Sequence, residues 1–274
     1  MRRVQSPAFE VESVAVPALG GTGDASRLPL DALRKGLRDG AAQAIYLCFG
    51  ESDLAILDLL PLLSATERAR ARRASEQSLA VKFVVGRWLL RSILGAILDL
   101  SPEEIPLGVG PHGKPMLERD FPGCPSFNLA HSGAWAVLAI ATGTTVGVDL
   151  ERIRPLADAD RLARRILTPR EQEHYRRLAR SARESALLTA WVGKEAVLKA
   201  LGAGISGSPA SIEVGLDPVA VARPVGFLAA TVPPVPWFLC ELTPPSGYLG
   251  VIALEGAPRP LLSWQAHLAT LWSP

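Results

Sequence analysis

The sequence predicts an α/β fold of two similar halves in one chain, on three observations. Its 274 residues lie near the size at which a single core stops growing, so one large domain or two halves of ~100–150 residues is expected. The order strand, helices, strands occurs twice. A local echo links the repeats: Val85-Gly86-Arg87 with Leu94 resembles Val192-Gly193-Lys194 with Leu201, 107 residues further on. This divides the chain into an arm (1–42), an N-terminal half (43–144) and a C-terminal half (145–274). A ligand cleft between the halves is the natural place for a site.

In chain order, the arm carries scattered Gly and Pro, with one short helix expected around Pro29–Leu37. Ala44–Phe49 reads as a strand. Ser64 with Glu67 three residues on is a capping box opening an Arg-rich helix. Leu79–Leu98 is a second helix with Phe83, Leu90 and Leu94 on one stripe. Pro102–Pro125 reads as a proline-rich loop. Strands Phe127–Leu129 and Ala134–Ala141 follow, around a turn at His131-Ser132-Gly133. Val146–Glu151 is another strand. Helices are expected at Asp158–Ile166, at Pro169–Arg180 with Thr168 as its cap, and at Ala182–Leu201. Short strands at Ser211–Val214, Trp237–Leu242 and Tyr248–Leu254 close the chain.

Composition excludes several classes. Hydrophobic residues make up 48% and charged residues 20%, which rules out a disordered chain. With 29 Lys+Arg against 27 Asp+Glu, nothing points to nucleic acid or an anionic membrane as partner. The longest apolar stretch, Val225 to Cys240, is broken by Pro233, Pro234 and Pro236, so no transmembrane helix is expected. Arg2 and Arg3 lead to Glu10 and Glu12, unlike a signal peptide. Cys48, Cys124 and Cys240 are odd in number and far apart, against a disulfide framework or a zinc cluster. A cytoplasmic enzyme or binding protein is the expectation. Arg outnumbers Lys 24 to 5, yet Lys82, Lys114, Lys194 and Lys199 all fall in motif-bearing segments.

Four constellations carry possible chemistry. In Val146-Gly147-Val148-Asp149-Leu150-Glu151, strand alternation puts the apolar residues on one face and both carboxylates on the other. A pair ~7 Å apart repels unless a cation or donors intervene, and an all-oxygen set suits Mg²⁺. A strand end in solvent, neutralised by Arg152 and Arg154, fits the residues equally well. In Trp191-Val192-Gly193-Lys194-Glu195-Ala196-Val197-Leu198-Lys199, Glu195 and Lys199 share a helix face. By itself that is an ordinary surface pair worth ~0.3–0.5 kcal/mol. Gly108 to Lys114 satisfies G-x-x-x-x-G-K, but Pro115 replaces the Ser/Thr of a Walker loop, so that reading is rejected. His131 and Ser132 occupy a turn that lacks the G-x-S-x-G of a nucleophile elbow.

Taken together and in this order, Gly113-Lys114-Pro115, Phe127-Asn128-Leu129-Ala130-His131-Ser132-Gly133, the Asp149/Glu151 strand and the Trp191–Lys199 helix resemble the 4'-phosphopantetheinyl transferase superfamily, specifically its larger, single-chain, surfactin-synthetase-type members. The resemblance covers roughly Ala44 to Leu254. It implies two pseudo-symmetric halves with coenzyme A and Mg²⁺ between them. It implies transfer of the 4'-phosphopantetheine group to a serine of an apo carrier protein, of polyketide, nonribosomal peptide or fatty-acid synthase type, by a monomer.

Under the same resemblance, Asp149, Glu151 and Glu195 match the metal-binding acids and Lys199 the lysine beside the pyrophosphate. Lys114 with Pro115, and His131 with Ser132, match phosphate-contacting positions, while Lys82 and Arg87 supply further cations to coenzyme A. Glu195, directly or through a metal-bound water, is the expected base, with Lys199 offsetting charge on the leaving group. Carrier choice is expected in the Arg-rich surface around Pro155–Arg183. Two departures stand out. Ala130 replaces a frequent Ser, which implies a lost hydroxyl contact to the 3'-phosphate. Gly193 weakens its helix by ~1 kcal/mol relative to Ala. Another Mg²⁺-dependent phosphotransferase or hydrolase, and a carrier-binding chaperone without activity, are the alternatives.

Overall fold

Strand alternation sorts the side chains of each sheet onto two faces, and both faces are covered. The computed structural model describes residues 29–49, 59–110, 113–118, 121, 123–202, 208–218, 222–228 and 235–266. Residues 1–28 of the expected arm lie outside the described residues. One four-stranded sheet has the order β12-β1-β5-β4, from β1 (Ala42–Cys48), β4 (Ser126–Ser132), β5 (Trp135–Ala141) and β12 (Leu261–Ala266). The other has the order β6-β11-β10-β8, from β6 (Val146–Arg152), β8 (Arg223–Pro224), β10 (Trp237–Glu241) and β11 (Tyr248–Glu255). Neighbours are antiparallel except β1 and β12, which run parallel.

The first half contributes α1 (Leu30–Arg38), α2 (Ala65–Arg72) and α3 (Gln77–Leu98); the second contributes α4 (Ala159–Ile166), α5 (Pro169–Arg177) and α6 (Arg180–Leu201). Ile45, Leu47, Leu138 and Ile140 face Leu89 and Ile93 of α3 in one core. Val251 and Ala253 face Val192, Ala196 and Val197 of α6 in a second. The opposite faces meet each other: Ala44, Tyr46, Val137 and Ala139 pack on Val146, Val148, Leu150 and Ile252. The layers therefore run helix, sheet, sheet, helix, and small alanines line the contact between the sheets.

Each half repeats one device. Ser64 and Thr168 cap α2 and α5 through complete capping boxes whose glutamates are Glu67 and Glu171. Each glutamate also holds a buried cation from the following 22-residue helix: Glu67 meets Arg91 at 2.8 Å, and Glu171 meets Lys194 at 2.6 Å. Each cation then donates to carbonyls of a Ser-Pro 3-10 turn past its helix. Arg91 reaches Pro102 O and Ile105 O, and Lys194 reaches Pro209 O and Ile212 O. The corresponding segments are thus Trp88–Arg91 and Trp191–Lys194. The sequence echo paired Arg87 with Lys194, one helical turn away from the residue that shares its role. Lys194 is a fully buried structural cation, not a charge held for phosphate.

Other expectations are also revised. Pro102–Pro125 is not all loop: it contains the hairpin of β2 (Leu107–Val109) and β3 (Pro115–Leu117). Gly113, with φ +83°, supplies the left-handed residue of that reversal. His131 and Ser132 end β4, and the turn itself is Gly133-Ala134. Alternation continues through them because both side chains find partners on their own faces. Three further strands lie outside the expected elements: β8 and β9 (Gly226–Phe227), which are two residues each, and β12. The last joins β1 across most of the chain, a pairing that no local pattern encodes. The division at residue 145 remains our proposal for the halves, and β12, assigned by it to the second half, lies in the first half's sheet.

The buried pair is predicted to dominate stability over exposed pairs. Glu171→Ala leaves Lys194 charged and unpaired, and should cost about 3–5 kcal/mol in urea unfolding. Lys35→Ala breaks only the exposed Lys35–Asp39 pair and should stay within about 0.5 kcal/mol of the parent.

Candidate active site

Strand β6 carries the acids, and its two edges are held differently. On one edge it pairs with β11, with Asp149 opposite Val251 and Glu151 opposite Leu249. On the other, β4 supplies side chains in place of a backbone ladder. Ser126 Oγ accepts from Val146 N–H at 3.1 Å, Asn128 Oδ1 from Val148 N–H at 2.9 Å and Ser132 Oγ from Arg152 N–H at 3.1 Å. Leu150 N–H points the same way in this register, but its counterpart is Ala130, which has no acceptor. Ala130 is buried between the sheets, so the missing hydroxyl faces this seam, not a phosphate.

The other face of β6 meets α6 closely. A Cβ on Gly147 would overlap the backbone of Ala196 and Ala200, so glycine here lets the helix approach. Gly193 serves the same packing from the helix side, where a Cβ would lie 2.9 Å from Leu239 Cδ1. This approach brings Lys199 Nζ to 2.5 Å from Asp149 Oδ1. Asp149 is 4% exposed, and its Oδ2 is buried without a hydrogen-bond partner. The strand end is therefore not in solvent at Asp149. Burial pushes its carboxyl up to about 6; Lys199 opposes the rise, and the charges of Glu151 and Glu195 add to it. Glu195 is raised as well, by burial and by Glu151, against the pull of Lys199.

An unpaired buried oxygen amid three mutually repelling carboxylates is a poor arrangement for the protein alone and a good one for a hard cation. Among the described residues no three acid, His or Cys side chains converge into a ready-made cage. The oxygen-only donor set nevertheless fits Mg²⁺ in kind, because that ion keeps several waters and needs few protein ligands.

Beside the acids lies a cleft of about 480 Å³ whose walls include Arg70, Arg73, Lys82, Arg87 and His131. Phe83 lines it with two guanidiniums over its ring, Arg70 at 4.9 Å and Arg87 at 5.4 Å from the centroid. Burial pulls His131 below its usual value, and Lys82 and Lys199 depress it further. The two lysines thus add a positive field to the effect of burial, opposed by Glu151.

The structure thus pairs Asp149 with Lys199, leaves Glu151 and Glu195 near enough to act on its charge, and sets Lys82, Arg87, Pro115 and His131 around the adjoining cleft. Two candidates face elsewhere. Lys114 Nζ donates to Lys199 O at 2.8 Å and Ala200 O at 3.2 Å, tying the β2–β3 hairpin to the end of α6. Ser132 points away from the cleft, toward Glu151. Arg70 and Arg73 were missed as cleft residues. Their signal was the Arg-rich run of α2, which reads equally as a solvated face until α2 is seen against α3.

Two family models match the chain: the 4'-phosphopantetheinyl transferase superfamily over residues 145–250, and the N-terminal region of 4'-phosphopantetheinyl transferase over residues 52–143. Among similar curated proteins is 4'-phosphopantetheinyl transferase HetI of Nostoc sp., 36% identical over 200 residues, which are 73% of this chain and 81% of that protein. 4'-Phosphopantetheinyl transferase psf-1 of Bacillus pumilus is 33% identical over 151 residues, covering 55% of this chain and 63% of the relative. 4'-Phosphopantetheinyl transferase Sfp of Bacillus subtilis is 25% identical over 147 residues, covering 54% and 63% respectively.

Two stability measurements check this geometry in metal-free buffer. The Asp149 proton is favoured in the folded state, so the cost of its charge is full above about pH 6 and disappears below pH 4. Asp149→Asn should therefore gain about 1–3 kcal/mol at pH 8 and lose that advantage on acidification; a loss of stability at pH 8 would contradict the buried charge. Ala130→Ser supplies an acceptor to Leu150 N–H. It should raise stability in urea unfolding by about 0.5–1.5 kcal/mol.

Proposed function

Because this chain belongs to the 4'-phosphopantetheinyl transferase superfamily, we propose that it transfers the 4'-phosphopantetheine group of coenzyme A to a serine hydroxyl of an apo carrier protein, releasing adenosine 3',5'-bisphosphate. One observation carries the assignment of the site: Asp149, with one oxygen on Lys199 and the other unpartnered, lies among Glu151 and Glu195 and next to a cationic cleft. Assignment to the surfactin-synthetase-type branch belongs to the same proposal, supported by two halves in one chain. So do action as a monomer and a cytoplasmic place of work. Among the described residues no helix is long and apolar enough to cross a membrane.

The roles follow from position. Arg70, Arg73, Lys82, Arg87 and His131 bind and orient the phosphates of coenzyme A, and Phe83 offers a flat apolar face beside two of these cations. Asp149, Glu151 and Glu195 would hold Mg²⁺, which when bound supplies charge neutralisation at the pyrophosphate. Lys199 leaves Asp149 Oδ1 and offsets negative charge on the leaving bisphosphate. Glu195, whose carboxyl is raised by burial, takes the proton of the carrier serine. Pre-set charges of this kind are most of what phosphoryl transfer requires of a protein.

For the carrier we propose a cleft of about 210 Å³ between Glu151 and α6, with apolar walls from Leu156, Leu162, Leu188 and Trp191 and a rim of Arg152 and Arg154. It adjoins the Arg-rich helix α4, which suits an acidic partner with a small apolar contact. Polyketide, nonribosomal peptide and fatty-acid synthase carriers are all candidates.

The test is a mass measurement: incubation with coenzyme A, Mg²⁺ and an apo carrier should add one phosphopantetheine arm on serine, and EDTA should abolish it. Asp149→Ala should lower the rate at least about 100-fold without unfolding the protein. Lys199→Ala should depress kcat more than it raises the coenzyme A KM, whereas His131→Ala should mainly raise that KM. Full transfer in EDTA would remove the metal from the reading.

A further inference from the structure

The hydroxyl of Ser132 is engaged on both sides. It accepts from Arg152 N–H at 3.1 Å and lies 2.8 Å from Glu151 Oε2. An ionised carboxylate only accepts, so the single hydroxyl proton is directed at Glu151 and restricts its rotation. The turn that carries Ser132 is itself anchored to the second half. Tyr248, which pairs with Arg152 across β6 and β11, accepts from Ala134 N–H through its hydroxyl at 3.2 Å. Gly133 between them has φ +55°, and a Cβ there would meet the Tyr248 hydroxyl at 2.5 Å, so the turn is seated against that ring. The result is a chain of contacts, Tyr248 to turn to Ser132 to Glu151, in which the first half sets the orientation of an acid carried by the second.

We propose that Ser132 is a positioning residue that aims the Glu151 carboxylate at the cation shared with Asp149 and Glu195, and makes no contact with coenzyme A. The inference rests on the three-acid reading given above. His131, its neighbour on β4, faces the cleft, and alternation turns Ser132 to the opposite face with Ser126, Asn128 and Ala130. Two adjacent residues of one motif thus divide the work, one toward substrate and one toward the acids.

Direct metal binding tests this, with Mn²⁺ as a paramagnetic probe titrated against the full chain and free ion read by electron spin resonance. Ser132→Ala should weaken Mn²⁺ binding about tenfold, the scale expected on loss of a hydrogen bond to a ligating carboxylate. Its coenzyme A KM at saturating metal should match the parent. Ser132→Thr keeps the hydroxyl and should restore Mn²⁺ affinity to within about twofold. Unchanged Mn²⁺ affinity in Ser132→Ala overturns the proposal, and a raised coenzyme A KM alongside it makes Ser132 a substrate contact instead. A parent protein that binds no Mn²⁺ overturns the three-acid reading as well, so the two failures are distinguishable.

Discussion

The unpaired edge of β6 is the constraint on which the molecule is organised. A buried strand edge exposes N–H groups that have lost water and must be satisfied. Here β4 satisfies three of them with side chains from Ser126, Asn128 and Ser132, without continuing the sheet. Two sheets are thereby locked in register while remaining separate sheets, each free to pack its own helix. The acids of β6 and the histidine of β4 become neighbours as a consequence, because alternation on two registered strands leaves no other arrangement. Leu150, opposite Ala130, is the one gap in this row, and it lies between Asp149 and Glu151.

The same chemistry is used for opposite ends elsewhere. Glu171 is a buried acid with both oxygens engaged: cap, ion pair and backbone donors from Val214 and Gly215. Glu67 caps its helix and pairs with Arg91 through Oε2, while its Oε1 has no hydrogen-bond partner and lies 3.7 Å from Arg87. Each anchors the long helix that follows it through a buried cation. Asp149 is as deeply buried but has one partner and one orphaned oxygen. Glu171 is satisfied buried charge acting as scaffold, whereas Asp149 keeps an orphaned oxygen that also feels two further acids. The stability lost at Asp149 is the local inconsistency expected where function overrides folding.

Close packing turns this electrostatics into geometry. Gly147 lets α6 rest on the β6 backbone, and Gly193 lets the same helix seat on β10. A larger residue at Gly147 would collide with the backbone of α6 and push the helix outward, drawing Lys199 away from Asp149. Lys114 adds a second restraint by binding carbonyls at the C-terminal end of α6, next to Lys199 itself. The acids and the lysine are therefore positioned by two contacts within the second half and one between the halves.

Much of this was legible in the sequence because it is local. Periodicity locates the two long helices and the central strands, capping boxes mark α2 and α5, and alternation puts Asp149 and Glu151 on one face. The motif series names the family and the acids. Sequence could not show which motif residues turn toward one another, since that depends on contacts between segments far apart in the chain. Lys194 and Lys199 stand on one helix in one motif, yet the first is sealed against Glu171 and the second reaches Asp149. Ser132 looks like a partner of His131 until strand pairing turns it to the other face. The parallel join of β12 to β1, the burial of Asp149 and the place of Ala130 were likewise decided only by the tertiary structure, because hydrogen bonding and desolvation belong to the packed chain and not to any stretch of it.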